Sequence, residues 1–205
     1  MSAAAACDTV FEDLFAGRPL MAIFRGLGVE RSLELAVTAW DLGIEVVELP
    51  IQSAEDVDAL AAVVEAGRAR GARVGAGTVV TVDQVEVAAS AGAAFAVSPG
   101  LDAAVVRACL DAGLPPLPGV ATPSEVMAAM GLGLTWLKAF PASVLGTGWF
   151  RAMRGPFPDV RFVATGGLDA GNAAEFLAAG VRVVAVGSAL EDPAQLPALA
   201  RLLDR

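Results

Sequence analysis

The chain of 205 residues carries 14 lysines and arginines together, and only one of them, Lys138, is a lysine. It contains no histidine and no tyrosine. Composition alone therefore excludes a Ser-His-Asp triad, a Cys-His pair, a histidine-bound zinc and an imidazole acid–base catalyst. Lys138 lies in the run Trp136-Leu137-Lys138-Ala139-Phe140-Pro141, an amine framed by apolar residues. Burial disfavours the charged form of an amine and lowers its pKa. A neutral amine in an apolar pocket is a nucleophile that condenses with a carbonyl to give a Schiff base. A carboxylate has the same kind of setting in Val46-Val47-Glu48-Leu49-Pro50. Facing Lys138, Glu48 would either move protons during that chemistry or hold the ammonium in an ion pair that merely plugs the interior. With the strand phased the other way, Glu48 is a surface carboxylate.

Such residues need a scaffold, and the chain repeats one. Gly43, Gly71, Gly92, Gly113, Gly133, Gly155 and Gly180 each close a helical stretch and precede an apolar run, as expected of glycine just past a helix C-terminus. The strand candidates are Leu20–Arg25, Val46–Pro50, Arg73–Thr78, Phe95–Pro99, Leu114–Pro118, Trp136–Phe140, Arg161–Thr165 and Arg182–Gly187. Between them, apolar residues recur at helical spacing, as in Leu33, Ala36, Val37 and Trp40 or Val57, Leu60, Ala61 and Val64. Ser53, Thr81, Thr122 and Asp169 offer N-caps. Strands alternating with helices mean βαβ units and a parallel sheet. The expected fold is an α/β single domain over residues 1–205, a (β/α)8 TIM barrel with a short extra N-terminal helix over Asp8–Ala16. The competing arrangement is an open doubly-wound sheet, against which stands the lack of a Gly-x-Gly-x-x-Gly after the first strand.

Barrel active sites lie at the C-terminal strand ends. Period-two alternation puts Trp136, Lys138 and Phe140 on one face, and Val46, Glu48 and Pro50 on another. Arg25, Thr78 and Thr165 close strands one, three and seven. The last two strands end in Thr165-Gly166-Gly167 and Gly187-Ser188. Glycines there let backbone N–H groups approach an anion, and the loops after strands seven and eight are the usual phosphate site of a barrel. Turn glycines are the bland alternative. Cys109 and Trp40 read as core, Arg151 and Arg154 as a solvated face, and Pro99, Pro118 and Pro141 as strand ends.

The composition is 56% hydrophobic and 18% charged, with a net charge of −9. A disordered chain is excluded. A nucleic-acid partner is not expected, because phosphates repel an acidic surface without a basic cluster. Nor is a membrane partner, since no uncharged stretch reaches the roughly 18 residues a span needs. Two cysteines, Cys7 and Cys109, offer neither a disulfide framework nor a metal spacing. The N-terminus lacks the pattern of a signal peptide, so the expected location is cytoplasmic.

Seven segments in order, Arg25-Gly26, Val47-Glu48, Gly75-Ala76-Gly77-Thr78-Val79, Ser98-Pro99-Gly100, Pro118-Gly119, Lys138-Ala139-Phe140-Pro141-Ala142 and Thr165-Gly166-Gly167, make the chain resemble the 2-keto-3-deoxy-6-phosphogluconate / 4-hydroxy-2-oxoglutarate aldolases. The likeness runs over roughly residues 18 to 190. It implies a class I aldolase on a (β/α)8 barrel that works without cofactor or metal. By that resemblance Lys138 is the Schiff-base lysine and Glu48 the acid/base. Arg25 and Thr78 would contact the carboxylate end of the 2-oxo acid. Pro99, Phe140 and Thr165 would line the site, and Gly166, Gly167, Gly187 and Ser188 would bind phosphate. The substrate implied is a phosphorylated 2-oxo acid and the assembly a homotrimer. One position departs: many phosphogluconate aldolases have arginine four residues after the glutamate, where this chain has Gln52. Pro50-Ile51-Gln52-Ser53 is similar to the Pro-x-Asn-Ser of phosphogalactonate aldolases. Two other functions stay open on the residues alone: a metal-independent phosphosugar epimerase, and a barrel that only binds a phosphorylated metabolite.

Overall fold

In a computed structural model describing residues 3–203, nine strands form one parallel sheet in the order β5-β4-β3-β2-β1-β9-β8-β7-β6. They are β1 Leu20–Ile23, β2 Val46–Pro50, β3 Arg73–Gly77, β4 Ala96–Val97, β5 Pro116–Leu117, β6 Gly119–Val120, β7 Trp136–Ala139, β8 Arg161–Thr165 and β9 Val183–Val186. The two ends of that order, β5 and β6, are halves of one strand divided only at Pro118. The sheet is therefore closed, and the eight expected strands make a (β/α)8 barrel rather than an open sheet. Proline has no N–H to give the ladder, which breaks the fifth strand there. Its carbonyl stays in register, accepting from the Lys138 N–H at 2.9 Å. The strand then runs two residues past the expected end at Pro118. Gly119 permits this, because a β-carbon there would collide with the Pro99 carbonyl.

Helices return the chain between strands: α2 Gly28–Leu42, α3 Ala54–Arg68, α4 Val82–Ser90, α5 Ala103–Asp111, α6 Pro123–Gly131, α7 Ala142–Met153, α8 Ala173–Ala178 and, after β9, α9 Leu196–Leu203. Three expected caps form, with Ser53, Thr81 and Thr122 accepting from the N–H three residues on. Of the seven marker glycines, all but Gly155 adopt the left-handed conformation.

Alternation along the strands sorts side chains into two cores. Val47, Leu49, Leu137, Ala139, Phe162 and Ala164 face the helices. Val46, Phe95, Val97, Leu117, Trp136 and Val163 fill the barrel interior. The N-terminal helix α1, Ala3–Leu14, starts earlier than the expected Asp8. Its run of alanines has the highest helix propensity of any residue type. The helix and the turn after it close the barrel floor: Phe11 of α1 and Phe15 just past its end, both almost wholly buried, enter the interior core beside Trp136 and Phe95. Asp8 fastens it by accepting from the Thr135 N–H at 3.3 Å and the Thr135 hydroxyl at 2.8 Å. Among the described residues no helix is long and apolar enough to cross a membrane.

Candidate active site

Trp136 and Lys138 both point into the barrel, two residues apart on β7, and the tryptophan lies on the floor side. The lysine is therefore raised toward the C-terminal mouth while still covered, at 4% exposure. On β2, Val46 and Glu48 repeat the pattern, and Glu48 is 3% exposed. Burial lowers the Lys138 pKa, against the pull of the Glu48 carboxylate, and the Arg25 guanidinium lowers it further. Burial raises the Glu48 pKa, partly opposed by the Lys138 and Arg25 charges. Both groups are thus pushed toward their neutral forms, the state in which an amine attacks a carbonyl and a carboxyl can donate a proton.

The two do not form a plug. The ion pairs among the described residues all lie elsewhere, and Glu48 Oε2 is buried without a hydrogen-bond partner. An unpartnered buried oxygen costs about 1–3 kcal/mol, which a substrate hydroxyl or water would relieve. Thr165 Oγ1, at the end of β8, is orphaned in the same way, with the residue 1% exposed. The ring of Phe140 lies 5.0 Å from Lys138 Nζ, and the Phe140–Pro141 peptide bond is cis.

Beyond these groups a cavity of about 370 Å³ opens at the C-terminal mouth. Gly166, Gly167, Gly187 and Ser188 line it together with Thr165 and Arg25. The four residues expected to take phosphate are thus brought together. Arg25 lines the same cavity, and its charge also reaches Lys138 and Glu48. Thr78 closes β3 half-buried with a φ of 58°, the one non-glycine residue at positive φ among those described. A β-branched side chain in that conformation is strained. Pro99 and Gln52 are exposed. Pro99 borders a neighbouring hollow with Val79, Ser98 and Leu101, outside the Arg25 cavity.

Asn172 was not anticipated. Asp169, the expected cap, accepts instead from the Gly171 and Asn172 N–H groups, and Asn172 takes the N-cap position of α8. The Asn172 amide donates to the Gly167 carbonyl at 3.1 Å and its oxygen accepts from the Asp169 N–H at 3.0 Å. It thereby ties down the glycine loop. Ser143 was missed as well: a β-carbon on Gly167 would lie 2.7 Å from Ser143 Cβ. The one signal in the sequence that could have pointed to Asn172 is its place five residues after the Gly166-Gly167 turn. A larger cavity, of about 450 Å³, lies at the opposite end beside α1, with Arg18, Glu45 and Arg73 in its wall. It touches none of the chemistry described above.

Residues 12–201 match the family model described as KDPG and KHG aldolase. A probable 2-dehydro-3-deoxy-6-phosphogalactonate aldolase of Rhizobium meliloti is 38% identical over 86% of this chain and 83% of its own. A 2-dehydro-3-deoxy-phosphogluconate aldolase of Treponema pallidum is also 38% identical, over 91% of this chain and 88% of its own. Among solved structures, the KDPG aldolase of Legionella pneumophila, with pyruvate captured as a covalent carbinolamine intermediate, superposes with a TM-score of 0.80 at 31% identity. That alignment covers 93% of this chain and 94% of the other.

Proposed function

The chain belongs to the KDPG and KHG aldolase family, whose members are carbon–carbon lyases, and from that premise we propose that Lys138 and Glu48 carry out reversible retro-aldol cleavage of a 4-hydroxy-2-oxo acid. The observation carrying this reading is the only lysine of the chain, buried at the C-terminal mouth of the barrel, with a buried carboxyl that has one unpartnered oxygen on the opposite wall of the interior. The neutral Lys138 amine attacks C2 of the 2-oxo acid, and loss of water, assisted by the Glu48 proton, gives the iminium. The Glu48 carboxylate, directly or through water, takes the C4 hydroxyl proton. The C3–C4 electron pair moves into the iminium to leave an enamine, and the aldehyde departs. Protonation at C3 and hydrolysis of the imine release pyruvate and restore Lys138.

Thr78, Pro99, Phe140, Thr165 and Gln52 are assigned to the substrate's 2-oxo acid half and its hydroxyls. Gly166, Gly167, Gly187 and Ser188 are assigned to a terminal phosphoryl group. Arg25 stands on the rim between the two ends, where its charge reaches both catalytic groups and the cavity. The substrate is then 2-keto-3-deoxy-6-phosphogluconate, its galactonate epimer or 4-hydroxy-2-oxoglutarate, and the aldehyde product of the first two is glyceraldehyde 3-phosphate. Turnover of the two C4 epimers side by side identifies the preferred one.

Borohydride reduction in the presence of pyruvate tests the chemistry directly. The wild-type protein should gain the mass of one 1-carboxyethyl group, mapped to Lys138, and Lys138→Met should gain none. An unmodified wild-type protein would overturn the aldolase reading and leave proton transfer or simple binding on the same barrel. We further place the protein in the cytoplasm as a single-domain homotrimer. Exposed Val80, Val82, Met127, Met130 and Val144 favour self-association; light scattering at the mass of a monomer would refute the trimer.

A further inference from the structure

Glu48 on β2 is paired in register with Gly75 on β3, and Pro50 with Gly77. Residues two apart on a strand share a face, so Gly75 and Gly77 leave the interior face of β3 bare next to Glu48. Each gap is filled from elsewhere. A β-carbon on Gly75 would run into the ring of Phe95. A β-carbon on Gly77 would have as its three nearest heavy atoms Oε1, Cδ and Cγ of Glu48, with Cδ at 2.7 Å and Cγ at 3.0 Å. The Glu48 side chain therefore lies along the bare strand, leaning from its own register position toward the mouth.

We propose that Gly77 is the positioning residue for Glu48, its missing side chain forming the slot that aims the carboxyl at the substrate bound to Lys138. Gly77 is not among the glycines at positive φ, so the backbone would accept alanine, and the carboxyl side chain is the obstacle. In the slot Oε1 faces backbone and Oε2 is left unpartnered, free to take or give the proton. With the slot closed, Glu48 would have to swing off this line. A displacement of about 1 Å costs on the order of 100-fold in rate when a group must meet its target in one geometry. The inference rests on the aldolase reading.

A variant cycle on the full-length enzyme separates the two. Gly77→Ala should lower kcat on the order of 100-fold with KM within a few-fold of wild type, while borohydride and pyruvate still label Lys138. Glu48→Ala should lower kcat by about 10²–10⁴-fold, the usual range for a lost acid/base. In that background, adding Gly77→Ala should change kcat less than about threefold, because residues that act through one another are not additive. If Gly77→Ala alone fails to fold, the double variant, with the side chain removed, should fold and show the activity of Glu48→Ala. The proposal is overturned if Gly77→Ala retains wild-type kcat. It is overturned equally if alanine costs the same factor with and without Glu48, or if the double variant does not fold. Failure of pyruvate to label wild-type Lys138 would instead sink the aldolase reading itself.

Discussion

The Lys138 amine lies 5.0 Å from the centre of the Phe140 ring, and the Cδ2–Cε2 edge of that ring approaches Gly166, where a β-carbon would meet it at 3.1 Å. Phe140 thus joins Lys138 to the glycine loop of the distal cavity. An aromatic face favours the ammonium, whereas the burial around it favours the amine. Phe140→Leu keeps the apolar cover and removes the ring. The Lys138 pKa should then fall further below its ordinary range, and the acid limb of pyruvate trapping should move to lower pH. A limb that stays put or moves upward would show that the ring does not act on the amine.

The two buried ionisable groups carry a pH-dependent cost. Glu48 is raised from its ordinary 4.5, so its contribution to stability is whole below that pH and is lost as pH rises through the folded value. Lys138 is lowered from 10.5, so its contribution is whole above that pH and is lost as pH falls through the folded value. At neutral pH both work against the fold. Replacing both side chains by apolar residues of similar size removes both costs. Lys138→Met/Glu48→Leu should therefore melt above wild type at pH 7 while being inactive. The lysine share of that cost should shrink as pH approaches 10.5, so Lys138→Met alone should gain most over wild type at pH 7 and lose that advantage toward pH 10.5. Thermal melts across that range check the sign, and a Lys138→Met advantage that grows with pH would contradict it.

Gly167 has a φ of 72°, and a β-carbon there would press on Ser143. Gly167→Ala should push the loop out of place and impair only the distal half of the substrate. KM for the phosphorylated substrate should rise on the order of tenfold, about 1.4 kcal/mol. Pyruvate trapping, which needs only the Lys138 end, should be little changed. Equal loss in both assays would mean that the loop supports the whole site rather than the phosphoryl group.

Phe11 is 1% exposed and meets Phe15, Phe95 and Trp136 on the barrel floor. Phe11→Ala should destabilise by about 3–5 kcal/mol, the range for truncating a buried aromatic. Urea unfolding measures it. A loss below about 1 kcal/mol would mean that α1 is only loosely seated.

Alternation was enough to locate the pair at the centre of the site. Val46/Glu48 and Trp136/Lys138 point inward because a strand repeats every two residues, and no loop geometry enters that inference. Cap chemistry marked α3, α4 and α6 for the same reason: Ser53, Thr81 and Thr122 act on neighbours three residues away. What escaped was set by contacts between distant segments. The part played by Ser143 depends on α7 meeting Gly167. The division of the fifth strand at Pro118 followed from a missing donor, but its continuation through Gly119 needed the Pro99 carbonyl beside it. The residues around Pro99 and Gln52 were recognised by resemblance, and the structure leaves both at the exposed rim.

With Phe11 and Phe15 sealing the bottom, the barrel is a well with one opening. Everything that enters or leaves must pass the same rim, and on the proposed chemistry the part of the substrate tied to Lys138 sits deepest. The order of traffic follows from that shape: the aldehyde fragment, nearer the opening, has to clear before the three-carbon fragment can be cut loose and follow it out. Reversed in time, the same constraint makes pyruvate the first to load in the synthetic direction.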